Sequence, residues 1–135
     1  MSHIKSSYLG ELRTEDIHLK SSNRIITDAP TDNHGKGEAF SPTDLVCAAL
    51  SSCMITIMGI RANKHQITLE GLEAEVTKIM SATPPRQISK IRINFTLQGT
   101  NATPDQINML KEAALTCPVA LSINPTIEQD VSFDF

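Results

Sequence analysis

Apolar residues recur along this chain with two different periods. Between Leu45 and Ile60 there is no charge, and Leu45, Val46, Leu50, Met54, Ile55, Ile57, Met58 and Ile60 fall on every side of a helical wheel. A helix that is apolar all round is a buried one. Its start carries capping chemistry: Ser41 can N-cap, Pro42 suits the first helical position, and Asp44 stands three residues after the cap. Arg61, Lys64 and His65 suit the negative end of the helix dipole. The pattern predicts a helix from Pro42 to about Lys64, about 34 Å long at ~1.5 Å per residue.

Further on, the period falls to two. Ile91, Ile93, Phe95 and Leu97 alternate and predict a strand over Gln87–Gln98. Leu72, Ala74 and Val76 give the matching phase in Leu69–Met80, with Pro84-Pro85 in the loop between them. These read as two long antiparallel strands packed on the helix. Thr103 or Asn101 caps a second helix whose stripe is Ile107, Leu110, Ala114 and Leu115, ending near Cys117 because Pro118 follows. One more turn over Val119–Ile123 and a closing strand over Thr126–Phe135 complete the chain. The N-terminal pattern is weaker. Ser6–Leu12 and Asp16–Lys20 read as short strands around an Arg13-Thr14-Glu15 turn, and Arg24–Thr27 as a third, an antiparallel meander. The expected architecture is one α+β domain over residues 1–135, with antiparallel sheets around a long central helix.

Composition narrows the function. Twelve basic and fifteen acidic residues leave a net charge of −3, with five aromatics and no basic block, which disfavours nucleic-acid binding. The uncharged run of 16 residues falls short of the roughly 18–20 needed to span a bilayer. No charged segment followed by an apolar one opens the chain, so the expected compartment is the cytoplasm, with no membrane partner. The histidines (His3, His18, His34, His65) are scattered with no helical i, i+4 pair, so no metal centre and no cofactor is expected. The loop Asp28–Phe40 reads as a flexible connection. Gly35 and Gly37 stand outside any GxxxxGK[ST] pattern, and Asp28, Asp32 and Glu38 do not fit a calcium loop.

The remaining chemistry lies in three cysteines, an odd number without a CxxC, which argues against a structural disulfide framework. Cys47 and Cys53 are six residues apart, about 240° around a helix, so they point to different sides. Cys47 reads as a small buried hydrophobe. Cys53 and Cys117 leave two readings open. They are inert packing thiols, or they are a redox pair in which a Cys53 sulfenic acid condenses with Cys117 to a disulfide that an external thiol reduces. The redox reading needs a cation beside Cys53, because that residue is about 16 Å past the helix start and the dipole fades within a turn. Arg13, Arg24, Arg86 and Arg92 are the candidates, with Glu38 or Asp44 to orient the guanidinium.

The run GEAFSPTDLVCAALSSCMITIMGIRANKHQITLEG, followed some sixty residues later by AALTCPVALSINPTI, resembles the OsmC/Ohr superfamily of osmotically inducible and organic-hydroperoxide-resistance proteins. The resemblance covers nearly the whole chain. It implies an intertwined homodimer of α+β protomers with active sites at the subunit interface. It also implies a thiol peroxidase acting on organic hydroperoxides and reduced by a dihydrolipoyl group or a small thiol. On its pattern Cys53 matches the peroxidatic cysteine, Cys117 the resolving one, and Arg13, ahead of Arg24, the thiolate-binding arginine. Where the peroxidase branches carry a glutamate directly after the helix-starting proline, this sequence has Thr43, then Asp44. The competing expectation is a non-catalytic dimeric protein that binds a small ligand in an apolar cleft. An acyl-transfer cysteine enzyme ranks last, because nothing brings His34 or His65 to a thiol.

Overall fold

Helix α1 runs from Pro42 to Lys64, as the uncharged run and its flanking caps predict. The start is a reciprocal capping box. The Asp44 amide donates to Ser41 Oγ at 3.1 Å and the Ser41 amide donates to Asp44 Oδ2 at 3.0 Å. Burial is not all round. Cys47, Leu50, Ser51, Met54, Met58 and Ala62 form one buried stripe at helical spacing, while Ile55 and Ile57 are half-buried and Ile60 is 50% exposed. At 23 residues, α1 is also long and apolar enough to cross a membrane by length and composition, although the uncharged run alone is shorter. Its buried stripe marks it instead as a helix with one face inside the protein.

The computed structural model describes residues Met1–Phe135, which form two compact units, Met1–Val46 and Cys47–Phe135. In the first, β1 (Ile4–Gly10), β2 (Arg13–His18) and β3 (Arg24–Asp28) make the expected antiparallel meander in that order. The predicted turn is displaced. Arg13-Thr14-Glu15 lies inside β2, and the chain reverses at Glu11-Leu12, whose φ angles are 53° and 63°. Positive φ at both centres is the type I′ geometry of a two-residue hairpin turn. Neither residue is Gly or Asn, so composition hid the turn; the Tyr8 hydroxyl supports it by accepting from the Leu12 amide at 3.2 Å.

The segment after β3 is also not the flexible connection expected. A 3-10 turn covers Thr31–Asn33, and Gly35 and Gly37 donate to Pro30 O and Ala29 O at 2.9 and 3.2 Å. A Cβ on Gly35 would lie 1.8 Å from Ala29 O, so glycine there permits the close backbone approach.

In the second unit β4 (Glu73–Met80), β5 (Ile88–Thr96) and β6 (Glu128–Asp134) lie in that order. Leu69–Leu72, expected to open the first strand, is a turn closed by the Leu72 amide on Leu69 O at 3.0 Å. The pair β4–β5 is antiparallel as predicted, but β5–β6 is parallel, so this sheet is mixed and not antiparallel throughout. Between β5 and β6 run α2 (Pro104–Leu115) and α3 (Pro118–Ser122), and a helical crossover of that kind can return a strand parallel to its neighbour. Thr103 caps α2 in a box with Gln106. Asn101, the other capping candidate, instead binds the loop after α1, accepting from the Thr68 amide at 2.8 Å and donating to Gln66 O at 3.1 Å.

Leu50, Met54, Met58, Ile91, Ile93, Phe95 and Leu110 are wholly buried, and Phe95 stacks on Phe133 with centroids 5.3 Å apart. Every buried apolar residue comes from Cys47 onward; the first unit buries only Thr27, Asp28 and Ser41. Phe95→Ala is expected to cost about 3–5 kcal/mol of unfolding free energy by urea titration, because it removes the largest wholly buried side chain from the central strand.

Candidate active site

The second unit holds the thiols. Cys53 sits half-buried in the middle of α1, and Cys117, 1% exposed, sits between α2 and α3. Pro118 occupies the first position of α3 and Cys117 its N-cap, with Sγ accepting from the Ala120 amide at 3.4 Å. Cys53 and Cys117, 64 positions apart in sequence, are thus neighbours, close enough for Cys53 to act on the Cys117 thiol. Burial pushes the Cys117 thiol up from its ordinary range, opposed by the Ala120 and Val119 amides and reinforced by Cys53. None of the three cysteines forms a disulfide, and Cys47 is buried on the helix stripe, 3% exposed.

The first unit holds the arginine. Arg13 and Asp28 stand directly opposite each other on adjacent strands, so their side chains share one face of the sheet. Arg13 Nε and Nη2 donate to Asp28 Oδ1 and Oδ2 at 2.7 and 2.9 Å, a side-on bidentate pair, and Nη2 also donates to Glu38 Oε1 at 3.3 Å. Asp28 is 1% exposed, and its Oδ2 accepts a further bond from the Glu38 amide at 3.1 Å. Arg13, then the Glu38 amide, hold the Asp28 carboxyl below the usual carboxylate range against the opposing effect of burial, and Asp28 in turn raises Arg13.

The other nominated residues have different positions. Arg24 pairs with Glu15 at 2.8 Å and Arg92 with Asp130 at 3.0 Å, while Arg86 lies in the loop before β5. Asp44 closes the helix cap, and Thr43 Oγ1 lies 3.2 Å from Ser41 Oγ. Of the two carboxylates proposed for the arginine, Glu38 therefore reaches it and Asp44 serves the cap. Asp28, the principal partner, carries no signal of this role in the loop composition of Asp28–Phe40. An acid directly following the apolar pair Ile25-Ile26 and Thr27 was the available signal, and it needed the correct turn at Glu11-Leu12 to bring Arg13 opposite.

The chain thus sets two neighbouring cysteines and a carboxylate-pinned arginine on an α+β scaffold. The family described as OsmC-like protein matches residues 35–132, and the chain belongs to that family. A candidate osmotic stress induced and detoxification response protein from Psychrobacter arcticus 273-4 is 50% identical, covering 98% of this chain and 96% of its own, with a TM-score of 0.93. Two further likenesses concern the fold. An organic hydroperoxide resistance protein OsmC from Legionella pneumophila has a TM-score of 0.75 at 19% identity, covering 98% of this chain and 95% of its own. A candidate organic hydroperoxide resistance protein from Vibrio cholerae, with captopril bound in one of its active sites, has a TM-score of 0.73 at 13% identity, covering 99% and 92%. No curated protein matches the chain.

The Asp28 pair links stability to pH. A carboxyl held below its unfolded value stabilises the fold fully above about pH 4, and that contribution is lost as pH falls through the folded value. Asp28→Asn should therefore lower the midpoint of thermal unfolding near neutral pH and narrow its distance from wild type progressively below about pH 4. Circular-dichroism melts across that range check it, and a constant offset at every pH would contradict the linkage.

Proposed function

We propose that this protein is a cysteine-based thiol peroxidase that reduces organic hydroperoxides, with hydrogen peroxide as a poorer substrate, in the cytoplasm. The observation that carries the reading is the neighbouring of Cys53 and Cys117. In the proposed cycle the Cys53 thiolate attacks the O–O bond of ROOH. The sulfur takes the distal oxygen and becomes a sulfenic acid, and the alkoxide leaves and gains a proton as ROH. The Cys117 sulfur then attacks the Cys53 sulfenic sulfur, forming the disulfide and releasing water. A dihydrolipoyl group or a small thiol reduces the disulfide by exchange, becoming a disulfide itself.

Arg13 is proposed as the cation that favours the Cys53 thiolate, since an arginine fork can hold a thiolate and hydrogen-bond an oxygen together. The half-burial of Cys53 leaves it reachable by a peroxide, whereas Cys117 is 1% exposed and burial pushes its thiol up. Family membership and the two hydroperoxide-resistance neighbours in fold agree with this chemistry.

The working unit is proposed to be a homodimer. The first unit exposes Ile4, Tyr8, Leu9, Leu12, Ile25 and Phe40 and has no buried apolar residue of its own, so it calls for apolar cover. Light scattering coupled to size exclusion is expected to give twice the mass of the chain, and a monomer at micromolar concentration removes this part of the reading.

One equivalent of cumene hydroperoxide, followed by peptide mass spectrometry, should yield a Cys53–Cys117 disulfide in the wild type. In Cys53→Ser it should yield none, and in Cys117→Ser a trappable Cys53 sulfenic acid. Recovery of both thiols unmodified in the wild type would refute the peroxidase.

A further inference from the structure

Arg13 has two edges, and they are treated differently. The Nε–Nη2 edge is fully engaged by Asp28, with Glu38 end-on at Nη2, whereas Nη1 carries no hydrogen bond or ion pair. The side chain is 33% exposed. A guanidinium in this state has spent one side on a rigid anchor and keeps two N–H donors on the other. Because the fork is planar, fixing one edge fixes where the other points.

We infer that Asp28 is a positioning residue that aims the unengaged Nη1 edge of Arg13 as the anion-binding end of the site. The inference rests on the proposed role of Arg13 at Cys53.

Three features single out Asp28 among the acids near Arg13. It alone makes the bidentate contact, at 2.7 and 2.9 Å, against 3.3 Å for Glu38. It is 1% exposed whereas the Glu38 side chain is 64% exposed, and Glu11, 76% exposed, acts on Arg13 only through space while pairing with Lys36. And it cannot swing. Its backbone is held in β3 opposite Arg13, its amide donates to Phe40 O at 3.1 Å, and its carboxylate also accepts the Glu38 amide. A side chain held from strand, loop and partner at once transmits a fixed geometry. The rotamer freedom of Arg13 is thus lost during folding and not when the anion arrives.

The anion it fits is a single thiolate or oxyanion that accepts from one N–H of Nη1. A planar carboxylate needing the side-on fork fits less well, because that fork is already occupied.

The test reads the rate at which iodoacetamide alkylates Cys53, by peptide mass spectrometry on the full chain, from about pH 5 to about pH 9. Arg13→Ala is expected to slow it about tenfold at neutral pH, equivalent to moving the rate profile up by about one pH unit. Asp28→Asn should give a loss of the same size although Arg13 is intact. Asparagine offers one carbonyl oxygen and an NH2 group where the guanidinium needs two acceptors. Arg13→Lys should lose as much, since an ammonium held by Asp28 has no second edge, and it decides the matter if Asp28→Asn does not fold. Glu15→Gln, which breaks the exposed Arg24 pair on the same sheet face, should leave the profile in place.

A wild-type profile in Asp28→Asn or in Arg13→Lys, with Arg13→Ala slowed, overturns the inference while leaving Arg13 its role. A wild-type profile in Arg13→Ala overturns both. If cumene hydroperoxide forms no disulfide in the wild type but the alkylation pattern holds, the peroxidase reading fails and the positioning role stands.

Discussion

A carboxylate that is almost completely hidden from water is costly unless every lone pair finds a donor. In the first unit that constraint falls on Asp28. Its two oxygens accept from Nε and Nη2 of Arg13 and from the Glu38 amide, and its own amide closes onto Phe40. Strand β2, strand β3 and the segment leading to Ser41 are therefore joined through one side chain. The turn at Glu11-Leu12, with its two left-handed residues, sets the register that makes Arg13 and Asp28 face each other. Gly35 lets the following segment fold back against Ala29, which returns Glu38 to the same carboxylate. Local backbone features without chemistry of their own thus decide where the charge sits.

The second unit solves a different problem. Its core is apolar, and two cysteines from distant parts of the chain are neighbours there, Cys117 buried and Cys53 half-buried. The charged capping box of α1 lies too far along the helix to act on Cys53. Cys117, in contrast, is shaped by a local device: Pro118 starts a short helix and turns the Ala120 and Val119 amides toward the sulfur. Burial outweighs those donors, so Cys117 is biased toward the neutral thiol. The chain keeps its cation in one unit and its thiols in the other. That division suits a reaction in which the attacking sulfur is activated and the second sulfur waits.

Much of this was legible in the residues. The α1 bounds, the Thr103 cap, the alternation of β5 and the buried state of Cys47 follow from period and capping chemistry, because those signals are local. What was hidden was non-local or conformational. The hairpin turn used Glu and Leu at positive φ, so a composition rule passed over it and placed Arg13 in a turn. The parallel return of β6 depends on the path of the crossover, which its strand pattern does not encode. Position 43, a glutamate in the peroxidase branches that the sequence resembles, is Thr in this chain. Here the carboxylates lie on β3 and in the loop, and Thr43 turns toward Ser41. Cys53 and Cys117 were open in sequence between packing and chemistry, since their residue types alone do not say whether they are neighbours.

The exposed apolar residues of the first unit and the partial burial of α1 bear on one another. A three-stranded sheet needs an apolar face to be stable, and this one buries none of its own apolar side chains. Helix α1 carries more apolar surface than its one buried stripe uses, with Ile60 half exposed. Surface of that kind on two elements of one chain is unfavourable in water in proportion to its area. A second copy, as proposed, would cover such surface, since in a two-fold pair each copy offers the same surface that it needs covered. On that reading the arginine would not be a late addition to a finished scaffold. The sheet that carries it would become stable only on association, so the cation and its buried anchor would reach their working geometry in the same step that completes the fold.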